Sequence, residues 1–85
     1  MYYVYVLQSI KDKSCYTGFT SDLGRRIIEH NSGQQVSTKG HVPYRLVYYE
    51  WSLHKEDAIA REKYLKSGMG KKFIRNRLKN FLQVN

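Results

Sequence analysis

Residues 2–20, YYVYVLQSIKDKSCYTGFT, decide the fold. Tyr2 to Gln8 is aromatic and β-branched, the composition of a strand. Ser9 to Ser14 is polar and turn-like, and Cys15 to Phe19 is a second short strand ending near Gly18. Closing this hairpin through a two-residue turn at Lys11-Asp12 pairs Ile10 with Lys13. It also sets Tyr5 opposite Gly18 and Leu7 opposite Tyr16. Tyr5 and Tyr16 then lie diagonally on one face, roughly 7–8 Å apart along the backbone. A slip of one residue would put them on opposite faces.

Outward from the hairpin, Ser21 and Asp22 are N-cap candidates for a helix running to about Asn31, with Gly33 beyond it as a stop. Leu23 and Ile27 form its apolar stripe, with Ile28 beside it, while Asp22, Arg26 and His30 share a second stripe at i, i+4, i+8. Gln34 to Pro43 is a polar loop. Arg45 to Trp51, RLVYYEW, is a third strand. A helix follows from about His54 to Lys66, the SGMG segment breaks it, and a last amphipathic helix runs from about Lys71 to Phe81 with Ile74, Leu78 and Phe81 on one side. The order β-β-α-β-α-α is that of an α+β fold, one sheet covered by helices.

Eighty-five residues make one small domain, 1–85, and a chain this short buries only about 60–65% of its unfolded surface. The length excludes repeats and large cofactor folds. A single cysteine, Cys15, excludes a disulfide framework and fits a reducing, cytoplasmic setting. No run approaches the ~18 apolar residues of a membrane span, and Met1 to Leu7 lacks the flanks of a signal peptide.

The net charge is +8, and the 19 residues from Arg61 to Lys79 carry +7 of it, with Glu62 their only acid. Uncompensated charges that repel one another point to a polyanionic partner, most often nucleic acid. The plainer reading is a solvated helix surface. Glu62 stands out within this stretch because Ala58, Glu62 and Leu65 fall within about 60° of one another on a helical wheel, which puts the carboxylate on the inward stripe. A buried carboxylate needs a partner: a Lys or Arg in a structural salt bridge, or a divalent cation at the core's edge. The residue alone favours the salt bridge, since structural ion pairs are common. Arg26 with His30 is a polar edge, and tyrosines such as Tyr5 and Tyr16 are more often core aromatics than catalysts. The three histidines are too scattered to suggest a zinc site.

Taken together, these residues resemble a known family. Tyr3-Val4-Tyr5, eleven residues before Tyr16-Thr17-Gly18, is similar to the paired motif of the GIY-YIG nucleases. Arg26 follows Gly18 by eight residues, His30-Asn31 comes next, and Glu62 lies in AIAREKYLK, like that family's metal-binding helix. The resemblance spans about Tyr2 to Leu78 and is closest to small stand-alone members. Tyr3 stands where the motif has its first Gly, and Thr17 where it has Ile. Tyr3 carries no proposed chemistry, and Thr17 is still a good strand former.

The resemblance implies a three-stranded antiparallel sheet flanked by helices and a metal-dependent attack on a DNA phosphodiester, directed by DNA structure and linked to repair or recombination. It implies Glu62 as the ligand of a single Mg²⁺ or Mn²⁺, a hard cation that prefers carboxylate oxygen. Tyr5 or Tyr16 would help deprotonate the attacking water. A phenolate at neutral pH needs about three pKa units of help, from Arg26 and the metal. Arg26 would stabilise the transition-state phosphate, and His30 would pass a proton or position a phenol. Lys66, Lys71, Lys72 and Arg75 would contact nucleic-acid phosphates. A partner protein in a repair complex fits this setting, and a non-catalytic nucleic-acid-binding module with the same fold is the rival.

Overall fold

A computed structural model describes residues 1–83. The elements are β1 (Tyr2–Ser9), β2 (Cys15–Thr20), α1 (Leu23–Asn31), β3 (Tyr44–Ser52), α2 (Lys55–Lys66), α3 (Gly68–Arg77) and α4 (Lys79–Gln83), with a short 3₁₀ turn at Lys39–His41. The three strands form one antiparallel sheet in the order β2-β1-β3. No helix among the described residues is long and apolar enough to cross a membrane.

The hairpin register is the expected one, Tyr5 opposite Gly18 and Leu7 opposite Tyr16. Its turn is not. Strand pairing ends at Ser9 and Ser14, and residues 10–13 form a four-residue loop closed by Lys13 N–H to the Ser9 carbonyl at 2.9 Å, with Lys13 left-handed at φ 67°. Removing one pair from each strand preserves the register, so Tyr5 and Tyr16 still share a face. The reason for the wider loop is Ser9. Its buried hydroxyl accepts from Lys11 and Asp12 N–H and donates to the His41 carbonyl, while Ile10 N–H donates to the Pro43 carbonyl instead of pairing with Lys13.

Strand β1 is central and covered on both sides, which explains its continuous apolar run. Tyr5 and Leu7 face α1, packing with Tyr16, Leu23, Ile27, Tyr44 and Leu46. Val4 faces α2 and α3, packing with Ala58, Leu65, Tyr48, Phe73 and Ile74. A bulge at Val47 adds one residue to β3 between the partners of Val6 and Leu7, so Leu46 and Tyr49 both stay on the α1 side.

Helix α1 starts at an Asp22 cap that accepts from Arg25 N–H, and Gly33 beyond its end is left-handed at φ 79°. Ile28, by contrast, is 69% exposed. The SGMG segment behaves differently from the expected break. Ser67 closes α2 and caps α3, which already includes Gly68, Met69 and Gly70. A side chain on Gly70 would strike the Tyr64 carbonyl and the Leu65 backbone, so the glycine lets two consecutive helices touch. The expected helix from Lys71 to Phe81 is likewise two helices, divided at Leu78.

Candidate active site

The site is built around the Tyr5 hydroxyl. Tyr5 is 1% exposed, and its ring lies across Gly18, where any Cβ would collide with the phenol. Glycine on β2 is therefore the condition for Tyr5 to reach over the sheet edge. From the last turn of α1, His30 Nε2 meets the Tyr5 hydroxyl at 2.9 Å, and its Nδ1 meets Thr38 Oγ1 at 2.9 Å. The Tyr16 ring packs 5.0 Å from His30 and 6.4 Å from Tyr5, centre to centre. Tyr16 is half-buried, whereas Tyr5, His30 and Thr38 are sealed.

Burial sets the protonation of this row. It pushes the Tyr5 phenol well above its usual value, and the neighbouring Tyr16 adds to this; Arg26 pulls it down, while Glu62 and Glu29 push it up again. His30 lies below its ordinary value of 6.5 because of burial first and Arg26 second, with Glu29 opposing. At neutral pH the resting pair is a phenol and an uncharged imidazole. For Tyr5 this corrects the expectation of a phenolate: Arg26 acts in the expected direction and burial outweighs it.

Arg26 and His30 do not form the common polar edge that their spacing suggests. His30 turns into the core while Arg26, half-exposed, stays at the surface. Glu29 lies between the cations of α1, one oxygen 3.3 Å from Arg26 Nε and the other 3.1 Å from Arg25 Nε.

Glu62 is on α2 between Ala58 and Leu65, but it is less buried than the helical wheel suggests. Its side chain is 21% exposed and pairs with Lys66 Nζ at 3.2 Å, itself 52% exposed. A 12-residue helix lying against a three-stranded sheet leaves the edges of its inward stripe open to water. Lys66 is therefore the carboxylate's partner before it is a contact for any phosphate. The donor chemistry at Glu62 fits Mg²⁺ or Mn²⁺: one accessible carboxylate, the common protein share of a cation that keeps several waters and takes phosphate oxygens. Its one partner, a half-exposed lysine, is easily displaced.

Residues 1–82 match the family model described as the GIY-YIG catalytic domain. The chain belongs to the GIY-YIG family. It is 46% identical to a UPF0213 protein of Clostridium perfringens over 67 residues, 78% of this chain and 71% of the relative. It is 40% identical to a UPF0213 protein of Haloquadratum walsbyi, covering 78% of this chain and 74% of the relative. The solution NMR structure of a UPF0213 protein from Bacillus halodurans is 40% identical, with a TM-score of 0.54 over 89% of this chain and 84% of the other. The two triplets of this GIY-YIG chain, Tyr3-Val4-Tyr5 and Tyr16-Thr17-Gly18, are thus the paired strands β1 and β2.

The basic stretch of this GIY-YIG domain is not one uniform face. Arg61 forms an ion pair with Glu50 and lies over the Tyr64 and Phe73 rings, which makes it a packing residue. Lys71 and Arg75 border a cavity of about 300 Å³ floored by Val6, Leu65 and Ile74, whereas Lys72 borders another with Tyr64, Met69 and Phe73. All three cations are exposed.

Sequence reasoning missed Thr38, Asn31 and Glu29. Asn31 bridges α1 to β3, accepting from Tyr44 N–H at 2.6 Å and donating to the Tyr44 carbonyl at 3.1 Å. Its place next to His30 was visible in the sequence, but its partner lies thirteen residues away. The Arg25–Glu29 spacing of i, i+4 was a signal for Glu29.

Proposed function

We propose that this chain is a metal-dependent endonuclease that hydrolyses DNA phosphodiester bonds, directed by DNA structure and linked to repair or recombination. One observation carries the reading. A single phenol oxygen, on Tyr5, is hydrogen-bonded to a neutral histidine and lies within the fields of both a cation, Arg26, and a carboxylate, Glu62. A core tyrosine needs none of these. A water to be activated, a phosphate to be neutralised and a cation to be held need all three.

In this reading DNA binding opens the oxygen of Tyr5, a residue 1% exposed at rest, to the attacking water. The water gives it a proton as the Tyr5 proton passes to His30 Nε2, so no free phenolate is required. Tyr16, half-exposed beside both rings, orients the water or the phosphate. Arg26 leaves Glu29 to stabilise the charge gathering on the phosphate oxygens. Glu62, released from Lys66, would hold the divalent cation, which when bound would supply neutralisation of charge on the leaving oxygen. Lys71 and Arg75 supply phosphate contacts along one line of charge, with Lys72 on another, and these carry no base information, which suits recognition of shape over sequence.

The test incubates the pure protein with branched, flapped, nicked and linear DNA in Mg²⁺ or Mn²⁺, alongside Tyr5→Phe. Cleavage of one structural class is expected, slowed by about 10²–10⁴-fold in Tyr5→Phe with DNA binding retained. Binding to every substrate with no cleavage in either metal would overturn the enzyme in favour of a non-catalytic module.

A further inference from the structure

His30 has two ring nitrogens, and which one carries the proton decides whether it is able to receive one from Tyr5. Thr38 makes that choice geometrically. Its Oγ1 is 3.4 Å from the Gln35 carbonyl, an oxygen that only accepts, which gives the hydroxyl proton an acceptor other than His30. What Oγ1 then offers His30 is a lone pair. With the hydroxyl proton there, Nδ1, 2.9 Å away, carries the hydrogen, which leaves Nε2 bare to accept from the buried Tyr5 hydroxyl at 2.9 Å. The row Tyr5 O–H, Nε2, Nδ1–H, Thr38 O–H, Gln35 carbonyl then has every proton assigned and one direction.

The segment carrying Thr38 is held in place. The Gln35 carbonyl also accepts from the backbone N–H of Thr38 at 3.1 Å and of Lys39 at 2.9 Å. The 3₁₀ turn that follows is tied to the hairpin by Ser9 Oγ to the His41 carbonyl at 2.5 Å and Ile10 N–H to the Pro43 carbonyl at 2.8 Å. Thr38 and Ser9 are both fully buried. The polar loop between α1 and β3 is thus a hydrogen-bonded clamp, and its one buried side chain touches the histidine.

We propose that Thr38 is a positioning residue that fixes His30 in the Nδ1–H tautomer, so that Nε2 is the proton acceptor for Tyr5. The kinetic part of this inference rests on the nuclease reading, and the tautomer part does not. In the transfer, an O–H bond of water breaks as an O–H bond forms on Tyr5. The former Tyr5 O–H breaks as an N–H forms on Nε2, and the hydroxide left over attacks phosphorus. The opposite tautomer presents an N–H to Tyr5 and blocks the transfer.

Long-range ¹H–¹⁵N correlation of the imidazoles in the full chain at neutral pH tests this directly. The His30 ring of the native protein is expected in the Nδ1–H pattern. Thr38→Val, which keeps the shape and loses the hydroxyl, should move it to Nε2–H or to a mixture, and Thr38→Ser should restore the native pattern. In cleavage assays Thr38→Val should lower kcat by about 100-fold with little change in KM, and Thr38→Ser should recover most of the rate. A native ring protonated on Nε2 overturns the inference, even if Thr38→Val fails to fold. An unchanged tautomer in a folded Thr38→Val does the same. A native protein with the Nδ1–H pattern that cuts no DNA overturns the nuclease reading and leaves the positioning intact.

Discussion

Two groups act on the Tyr5 phenol, His30 through a hydrogen bond and Glu62 through its charge, and they are built from opposite materials. On the α1 side, His30 and Thr38 are sealed from water, neutral, and joined by one 2.9 Å hydrogen bond, with a second of 2.9 Å from His30 to the Tyr5 oxygen. On the α2 side, Glu62 and Lys66 are charged, 21% and 52% exposed, and joined by one 3.2 Å contact. In the proposed reaction the difference follows from what each would do. A buried neutral row holds its geometry without the desolvation cost of ions. A carboxylate that must exchange a lysine for a cation is better left near water, where an ion pair is worth only about 0–1 kcal/mol and partners exchange freely. Arg26, half-exposed on Glu29, follows the second pattern. In the proposed reaction the residues that would stay in one place are buried, and those that would change partners lie nearer the surface.

The strongest way to break this contrast is Glu62→Gln. The substitution keeps the shape and removes the charge that would hold the metal. Cleavage should fall by about 10²–10³-fold or more, in the range of losing a main electrostatic contact in a transition state. Stability should move by no more than about 1 kcal/mol, because the pair lost is an exposed one. A deeply buried pair would instead cost about 3–5 kcal/mol when one partner is removed. Thermal unfolding and cleavage on this one variant separate the outcomes. A strongly destabilised protein that still cuts at the native rate would show Glu62 to be structural.

The second test is pH. His30 is held below its ordinary value of 6.5 by burial and by Arg26, so the unfolded chain binds a proton before the folded one does. Its contribution is therefore fully present above about pH 6.5 and is lost progressively as pH falls toward and through the folded value. Cleavage should share this acid limb, since a protonated imidazole accepts nothing from Tyr5, and should be level near neutrality. Urea denaturation and initial rates measured between pH 4.5 and pH 7.5 (roughly two units below the free histidine value to one above) check both. Glu62→Gln leaves His30 and its two hydrogen bonds in place, so the variant should retain the His30 limb of the stability profile. A profile that flattens in Glu62→Gln would place the titration on the wrong side of the site.

Parity made the tyrosine pair legible in the sequence. Strand side chains alternate, and a two-residue or a four-residue turn centred on the same point gives the same register, so an incorrect turn still put Tyr5 opposite Gly18. Glu62 was legible as an odd residue beside Ala58 and Leu65, though a helical wheel cannot say how far a neighbouring strand extends to cover it. Its neighbour Lys66 sat at ion-pair spacing, yet the excess of positive charge around it suggested phosphate instead. The glycines of SGMG look like helix breakers to a propensity scale, and only tertiary contact reveals Gly70 as a place where helices touch. Thr38 was illegible. Its link to His30 spans eight residues of a polar loop without periodicity, and it depends on Ser9 tying that loop to the hairpin.

The smallest expected effect concerns the surface alone. If mobile partners are a property of the exposed side, the cations of α3 should act as independent phosphate contacts with no influence on the buried row. Lys71 and Arg75 are four residues apart and border one cavity, whereas Lys72 borders another, so a strand following the first line of charge would miss the second. Replacing Lys71 and Arg75 with Gln should reduce the slope of log K against log salt by about 1.8 units, at roughly 0.9 per phosphate contact on duplex DNA. Lys72→Gln should change it by less. The measurement is a filter or anisotropy titration on nonspecific duplex across a salt series. The His30 imidazole spectrum should be unchanged in all of these variants, because no cation of α3 is among the groups that shift it. Equal slopes for Lys72→Gln and Lys71→Gln would merge the two lines into one basic face. A shifted imidazole spectrum would couple the surface to the buried row and end the contrast.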